Sequence, residues 1–159
     1  MIKLYNTYVR SRLEYCSPVW NPHYAKYKEQ IEKVQRKFTR MLYYRFNWIK
    51  PDYPTRLEHL KTKSLETRRL KLDEMTLYKI IHGRIVTSLS SRITAHIPHR
   101  STRQSGHHLF YLSTPSSIIQ LNSPVHRMQN HHNVYFREYD IFNSTYNEYK
   151  SIVKGVYPF

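Results

Sequence analysis

The chain has 159 residues, enough for one domain that buries a core without disulfide or metal staples. Its formal charge of +15, from 26 Lys and Arg against 11 Asp and Glu, favours polyanions as partners. A single cysteine excludes an internal disulfide and a cysteine-based zinc or iron–sulfur site, and no apolar run reaches the roughly 18 residues of a membrane span.

The start "MIKLYNTYVR" lacks the uninterrupted apolar core of a secretory signal. A soluble intracellular protein of the nucleus or cytoplasm is therefore expected, with no membrane partner. Hydrophobic residues make up 40% of the chain, and 15 of them are tyrosines, whose polar tips suit half-buried positions or a binding surface. Charge is uneven. Residues 1–83 carry +10 and residues 84–159 carry +5, the latter with seven of the ten histidines.

Residues 2–15 are predicted to form a helix, with Tyr5, Val9 and Leu13 at i, i+4 spacing and Leu4 and Tyr8 on the same stripe. Pro18 and Pro22 stop it, so that "YCSPVW" reads as a helix end and turn in which Trp20 packs into the gap before the next helix. The next pattern is the strongest in the chain. Tyr24, Tyr27, Ile31, Val34, Phe38, Met41 and Leu42 fall within an arc of about 100°. Lys26, Lys33, Arg36, Lys37 and Arg40 fall on the other side, with Glu29 spaced to pair with Lys33 and Glu32 with Arg36. On spacing alone the basic arc faces either water or phosphate, and a charge run is most often only a solvated face.

"WIKPDYPTRLEHL" is a proline-punctuated connection into one or two helical turns. A third helix follows in "SLETRRLKLDEMTLYKIIHG", with Ser64 as its cap, Glu66 near its positive N-terminus and Gly83 at its end. Leu65, Leu72, Met75, Ile80 and Ile81 supply its apolar positions, and Arg68, Arg69 and Lys71 a second basic cluster. After a short helical stretch at "VTSLSSRI", residues 98–122 turn rich in Ser, Thr and Pro and read as loop, with "HHLFYLS" as a candidate strand. "NSPVHRMQNHHN" reads as a helix with Ser123 at its cap and Pro124 at its first position. "NSTYNEYKSIVKG" gives a last helix, capped by Asn143 or Ser144 and ended at Gly155.

Little in the chain points to catalysis. Asp73 and Glu74 are the one adjacent acidic pair, and helical neighbours point about 100° apart, a poor clamp for metal. Three glycines make no phosphate-cradling loop, so no cofactor is expected. The pairs His107/His108 and His131/His132 have no cysteine or carboxylate cluster at ligand spacing, and read as surface histidines near a helix end. Cys16 as a nucleophile would need a base that the sequence does not place.

One stretch carries a specific likeness. "LYNTYVRSRLEYCSPVWNPHYAKYKEQIEKVQRKFTRML" resembles the segment after the polymerase core in the reverse transcriptases of jockey-like non-LTR retrotransposons, the LINE elements. Leu4, Tyr5, Val9, Arg10, Leu13, Glu14, Tyr15, Ser17, Val19, Trp20 and Pro22 fill the first part of that pattern. Ile31, Glu32, Val34, Gln35, Arg36, Lys37, Phe38 and Arg40 fill the second. "LKTKSLETRRLKLDEMTLYKIIHG", "RSTRQSGHHLF" and "NSPVHRMQNHHN" are similar to later segments of the same region, more loosely.

The resemblance implies a thumb-like helical region over residues 1–97 and a loop-rich extension with one or two short helices over 98–159, together a small, mainly α fold. It implies a non-catalytic part of an RNA-directed DNA polymerase, since neither the aromatic-x-Asp-Asp palm motif nor an endonuclease is present in these residues. The chain then reads as a C-terminal remnant, begun at an internal methionine or a decayed 5′ end. Its implied partners are RNA or an RNA/DNA duplex and the missing polymerase core. Lys26, Lys33, Arg36, Lys37, Arg40, Arg68 and Arg69 are the candidate backbone contacts, because such a grip needs cations on rigid helices. Two rival expectations stand beside it, a free-standing basic nucleic-acid-binding protein and a decayed element without function.

Overall fold

A computed structural model describes residues 1–46, 51–95 and 108–157. The protein is mainly helical. Its helices divide between two compact units, Met1–Leu70 and Lys71–Val156. The boundary expected at 97/98 lies outside the described residues; the division seen falls instead within a helix. Of the expected RSTRQSGHHLF loop, residues 100–107 lie outside them as well.

In the first unit, an opening helix runs as α-helical Ile2–Leu4, π-helical Tyr5–Arg10 and α-helical Ser11–Glu14. The wider π turn, with Ser11 N–H bonded to the carbonyl of Asn6, moves the inward face from i+4 to i+5. Tyr5 is buried, and Arg10 and Glu14 turn inward after it. The anticipated stripe is therefore displaced: Leu4, Tyr8 and Val9 are exposed. Cys16 ends the segment in the left-handed region at φ 51°, and Ser17–Trp20 adds one helical turn. The turn reading of "YCSPVW" holds, but Trp20 is 41% exposed and does not fill a gap. Its indole N–H instead donates to the Tyr15 carbonyl at 2.6 Å, satisfying a carbonyl that the helix end leaves open.

Ala25–Arg45 is the longest helix, followed by Tyr53–His59, with Pro54 in its first turn. The latter ends at Lys61, also left-handed at φ 48°, with Thr62 N–H reaching back to the Leu57 carbonyl at 2.9 Å. Leu65–Ile81 starts as expected, Ser64 Oγ accepting from Thr67 N–H at 3.1 Å, and ends at Gly83, whose φ of 64° suits a residue without Cβ. Among its residues only Glu66 is exposed.

In the second unit, Leu77, Tyr78, Ile80, Phe110, Val125, Met128, Phe136, Ile141, Tyr149 and Val153 form the core. Tyr78 stacks on Tyr149 at 4.9 Å and donates its hydroxyl proton to the Ser144 carbonyl at 2.8 Å. A 3-10 helix at Ser88–Arg92 and a short helix at Ile118–Leu121 precede Pro124–Tyr135 and Tyr146–Val156. The last helix is capped by Thr145 rather than Asn143 or Ser144: Thr145 Oγ1 accepts from Glu148 N–H, and the Glu148 carboxylate accepts from Thr145 N–H at 2.9 Å. Gly155 lies inside it. Of the candidate strand, the described residues show a single antiparallel bridge between Ala95 and Phe110.

Candidate functional site

The Ala25–Arg45 helix has three faces, and their order explains what the basic residues do. Its buried face is polar: Glu32, Gln35 and Thr39, continued by Leu42 and Tyr43. Glu32 accepts from the backbone N–H of Leu65 at 3.0 Å and from the Tyr53 hydroxyl, so it closes the open N-terminus of the next long helix from outside. Gln35 accepts from the Tyr5 hydroxyl at 3.3 Å and donates to the Lys63 carbonyl at 2.9 Å. Burial pushes Tyr5 up to about 12. Burial first and then the bond to Glu32 hold Tyr53 well above the ordinary phenol range. Both phenols thus stay protonated donors.

The apolar arc read as the core face is largely outside it. Tyr24, Tyr27, Val34 and Met41 are exposed, and Ile31 and Phe38 are half-buried, Phe38 stacked on Tyr5 at 4.0 Å. The physical reason is that Glu32, Gln35 and Thr39 each find inward partners, so a polar stripe packs with its hydrogen bonds satisfied.

The third face carries Lys26, Lys33, Lys37 and Arg40, all exposed, within about 60° of one another at 3.6 residues per turn. Neither helix carboxylate neutralises it. Glu32 is buried, and Glu29 pairs with Arg36 at 2.7 Å rather than with Lys33. Arg36 also lies over the Tyr53 ring at 4.9 Å and belongs to the inner edge of the arc. A cavity of about 430 Å³ beside it is lined by paired charges, Lys28 with Glu66 and Arg36 with Glu29.

Arg68 and Arg69 are not surface cations beside that arc. Arg68 forms a two-pronged pair with the Glu14 carboxylate, with Nη2 to Oε2 at 2.9 Å, because the π turn carries Glu14 inward. Arg69 is 1% exposed and donates from Nε to Asn21 Oδ1 at 3.0 Å. Its guanidinium is turned inward, not toward a surface where a duplex backbone would lie.

The second unit gathers residues that the sequence reading had left on the surface. His131 and His132 are buried, not solvent-facing, and both Nδ1 atoms meet the Glu74 carboxylate, at 3.2 and 2.7 Å. The Tyr149 hydroxyl donates to the same carboxylate. Burial alone would raise Glu74; the hydrogen bonds of His131 and His132, the His132 charge and Tyr149 outweigh it and hold the carboxyl below its ordinary value. Next to it, Asp73 receives Arg127 through both oxygens, at 3.0 and 3.3 Å. Asn133 closes a double hydrogen bond with the backbone of Phe110. The adjacent acidic pair is thus a structural brace gripping one helix at 127, 131 and 132. The signal available in the sequence was the i, i+4, i+5 spacing of Arg and two His opposite Asp-Glu. Among the described residues, no group of three or more His, Cys, Asp and Glu is arranged to hold a metal ion. His107 lies outside the described residues, and His108 is exposed.

No helix among the described residues is long and apolar enough to cross a membrane. No protein-family model matches the chain, and no solved structure matches it. The chain is 31% identical over 81 residues to the uncharacterized protein B0403.1 of Caenorhabditis elegans. That alignment takes in 51% of this chain and spans 41% of the nematode protein, less than half its length.

Proposed function

We propose that this chain holds nucleic acid by its phosphate backbone without catalysing a reaction, as a thumb-like region of the kind that follows the polymerase core in jockey-like non-LTR reverse transcriptases. The observation that carries the reading is the exposed arc of Lys26, Lys33, Lys37 and Arg40 on a rigid 21-residue helix whose own carboxylates are engaged elsewhere. Cations fixed along a helix at intervals of about 5 to 10 Å can follow successive phosphates and release counterions. Such contacts position a duplex and read no sequence, which suits RNA or an RNA/DNA hybrid of any sequence. Arg36 flanks the grip; Arg68 and Arg69 brace the helices behind it.

The exposed apolar residues of the first unit, among them Tyr27, Val34, Met41, Leu4 and Tyr8, support a polymerase core as a second partner over a free-standing role. The test is binding of the purified chain to a labelled RNA/DNA duplex across a salt series, beside a variant with Lys26, Lys33, Lys37 and Arg40 all changed to Gln. Affinity is expected to fall steeply with salt, and the variant to flatten the log–log slope by about 3 to 4, near 0.9 per lost phosphate contact. Equal slopes for a folded variant would overturn the reading.

A further inference from the structure

We propose that the exposed face of the Ala25–Arg45 helix seats one acidic, amphipathic helix of a partner protein, which lies along an apolar line and pairs with the cations beside it. From Tyr24 to Met41 the apolar positions step alternately by three and four residues, as Tyr24, Tyr27, Ile31, Val34, Phe38 and Met41. That is the seam of a two-helix coiled coil, in which each of two sets repeats every seventh residue. The fold itself uses only one set. Ile31 and Phe38 are half-buried, Phe38 stacked on Tyr5 within the same unit, whereas Tyr27, Val34 and Met41 are 50, 39 and 47% exposed. These three form a line about 21 Å long at 1.5 Å per residue, so two heptads of packing positions stand open.

Charge sets what can fill them. Lys26, Lys33 and Arg40 each precede a member of the line by one residue, so they repeat with the same period of seven, about 100° round the helix. Lys37 follows Val34 by three, at the flank of the seam from which a charge reaches a partner helix. All four are exposed, while Glu29 is taken by Arg36 and Glu32 is buried. The other margin of the line is closed. There Gln35 and Leu42 are buried in the unit, and Lys28 pairs with Glu66 at 2.8 Å. A helix laid on Tyr27, Val34 and Met41 therefore meets unneutralised cations along one edge only.

The occupant that fits carries an apolar heptad stripe and carboxylates on the side that faces Lys33, Lys37 and Arg40. The line drifts about 20° per heptad, so the occupant wraps it left-handed at a shallow crossing angle of about 20°. Two other occupants fit worse. A second copy of this chain, at +15, sets the same cations against each other. Nucleobases need ring faces, and Val34 and Met41 present none. Lys33, Lys37 and Arg40 also belong to the phosphate grip, and one consequence rests on that reading: the acidic helix and a nucleic-acid backbone compete for this face.

The probe is a synthetic three-heptad peptide with Leu at both seam positions and Glu at the flanking ones, whose own like charges keep it from pairing with itself. Labelled with a fluorophore and titrated with the full chain, it is expected to bind saturably at one peptide per chain. A peptide with the same Leu seam and Lys flanks is expected to bind at least about tenfold more weakly. Val34→Ser with Met41→Gln, folded by circular dichroism, is expected to weaken the Glu peptide about tenfold, the scale of two lost apolar contacts, and to leave the salt slope of duplex binding unchanged. Unlabelled RNA/DNA duplex is expected to displace the peptide. Equal binding of polyglutamate, full affinity in the Val34→Ser, Met41→Gln variant, or a stable dimer of the chain alone would overturn the proposal. Peptide and duplex bound together, with a salt slope that depends on Lys26, Lys33, Lys37 and Arg40, would overturn it as well. Failure of the phosphate grip reads differently: the duplex slope then ignores those four residues, while the peptide binds as expected and the docking face stands.

Discussion

Met1–Leu70 buries Tyr5, Leu42, Tyr43 and Leu65 around a spine of Glu32, Gln35 and Thr39, and leaves much of its remaining apolar surface outside. Lys71–Val156 encloses ten large apolar side chains around the braced carboxylates Asp73 and Glu74. Both units put polar groups inside, yet the surroundings differ. The second unit has the aromatic and aliphatic bulk to cover its charges, with every carboxylate oxygen of the pair met by a donor. The first relies on hydrogen-bond geometry to hold helices whose apolar stripe is exposed at Tyr24, Tyr27, Val34 and Met41.

The contrast breaks most visibly at Asp73. Asp73→Ala removes the fully buried carboxylate that half-buried Arg127 meets through both oxygens, and is expected to cost about 3 kcal/mol in urea unfolding of the full chain. A loss below about 1 kcal/mol would mean the brace does not hold the second unit. In the first unit, Glu32→Ala removes the acceptor of Leu65 N–H and of the Tyr53 hydroxyl, with an expected loss of about 1–3 kcal/mol.

Acid sharpens the comparison further. Because the folded Glu74 carboxyl lies below its ordinary value near 4.5, its contribution is present above that pH and is lost as pH falls through the lowered value. Stability of the wild-type chain is expected to drop more steeply there than that of Glu74→Gln, by up to one proton, about 1.4 kcal/mol per pH unit. Parallel curves would place the acid sensitivity elsewhere. The smallest effect is expected on the exposed stripe: Val34→Ser with Met41→Gln should change stability by no more than about 0.5 kcal/mol per site while reducing self-association in analytical ultracentrifugation. A large loss would mean that this arc is the core face after all.

That last possibility is what hydrophobic periodicity suggested. The existence of the Ala25–Arg45 and Leu65–Ile81 helices was legible from long amphipathic patterns, and the ends of the second from Ser64 and Gly83 as punctuation. The faces were not. A π turn at Tyr5–Arg10 shifts register by one residue and turns Glu14 inward, and no pattern rule anticipates it. Glu32, Gln35 and Thr39 sit at core spacing too, but their inward role depends on partners at Tyr5, Tyr53, Lys63 and Leu65, which only the fold brings near. The same holds for His131 and His132, whose burial follows from Glu74 some 57 residues earlier. Of the candidate cations, Lys26, Lys33, Lys37 and Arg40 lie where the helical wheel puts them; Arg68 and Arg69 are drawn inward by Glu14 and Asn21.

The most direct measurement is lysine acetylation of the full chain, read residue by residue with mass spectrometry, with and without a saturating RNA/DNA duplex. Lys26, Lys33 and Lys37 are expected to react readily in the free chain and to become protected in the complex, while Lys28, paired with Glu66, changes little. Protection shared evenly among all lysines, or falling on Lys28 and Lys150 rather than the arc, would contradict a phosphate grip by this face of the helix.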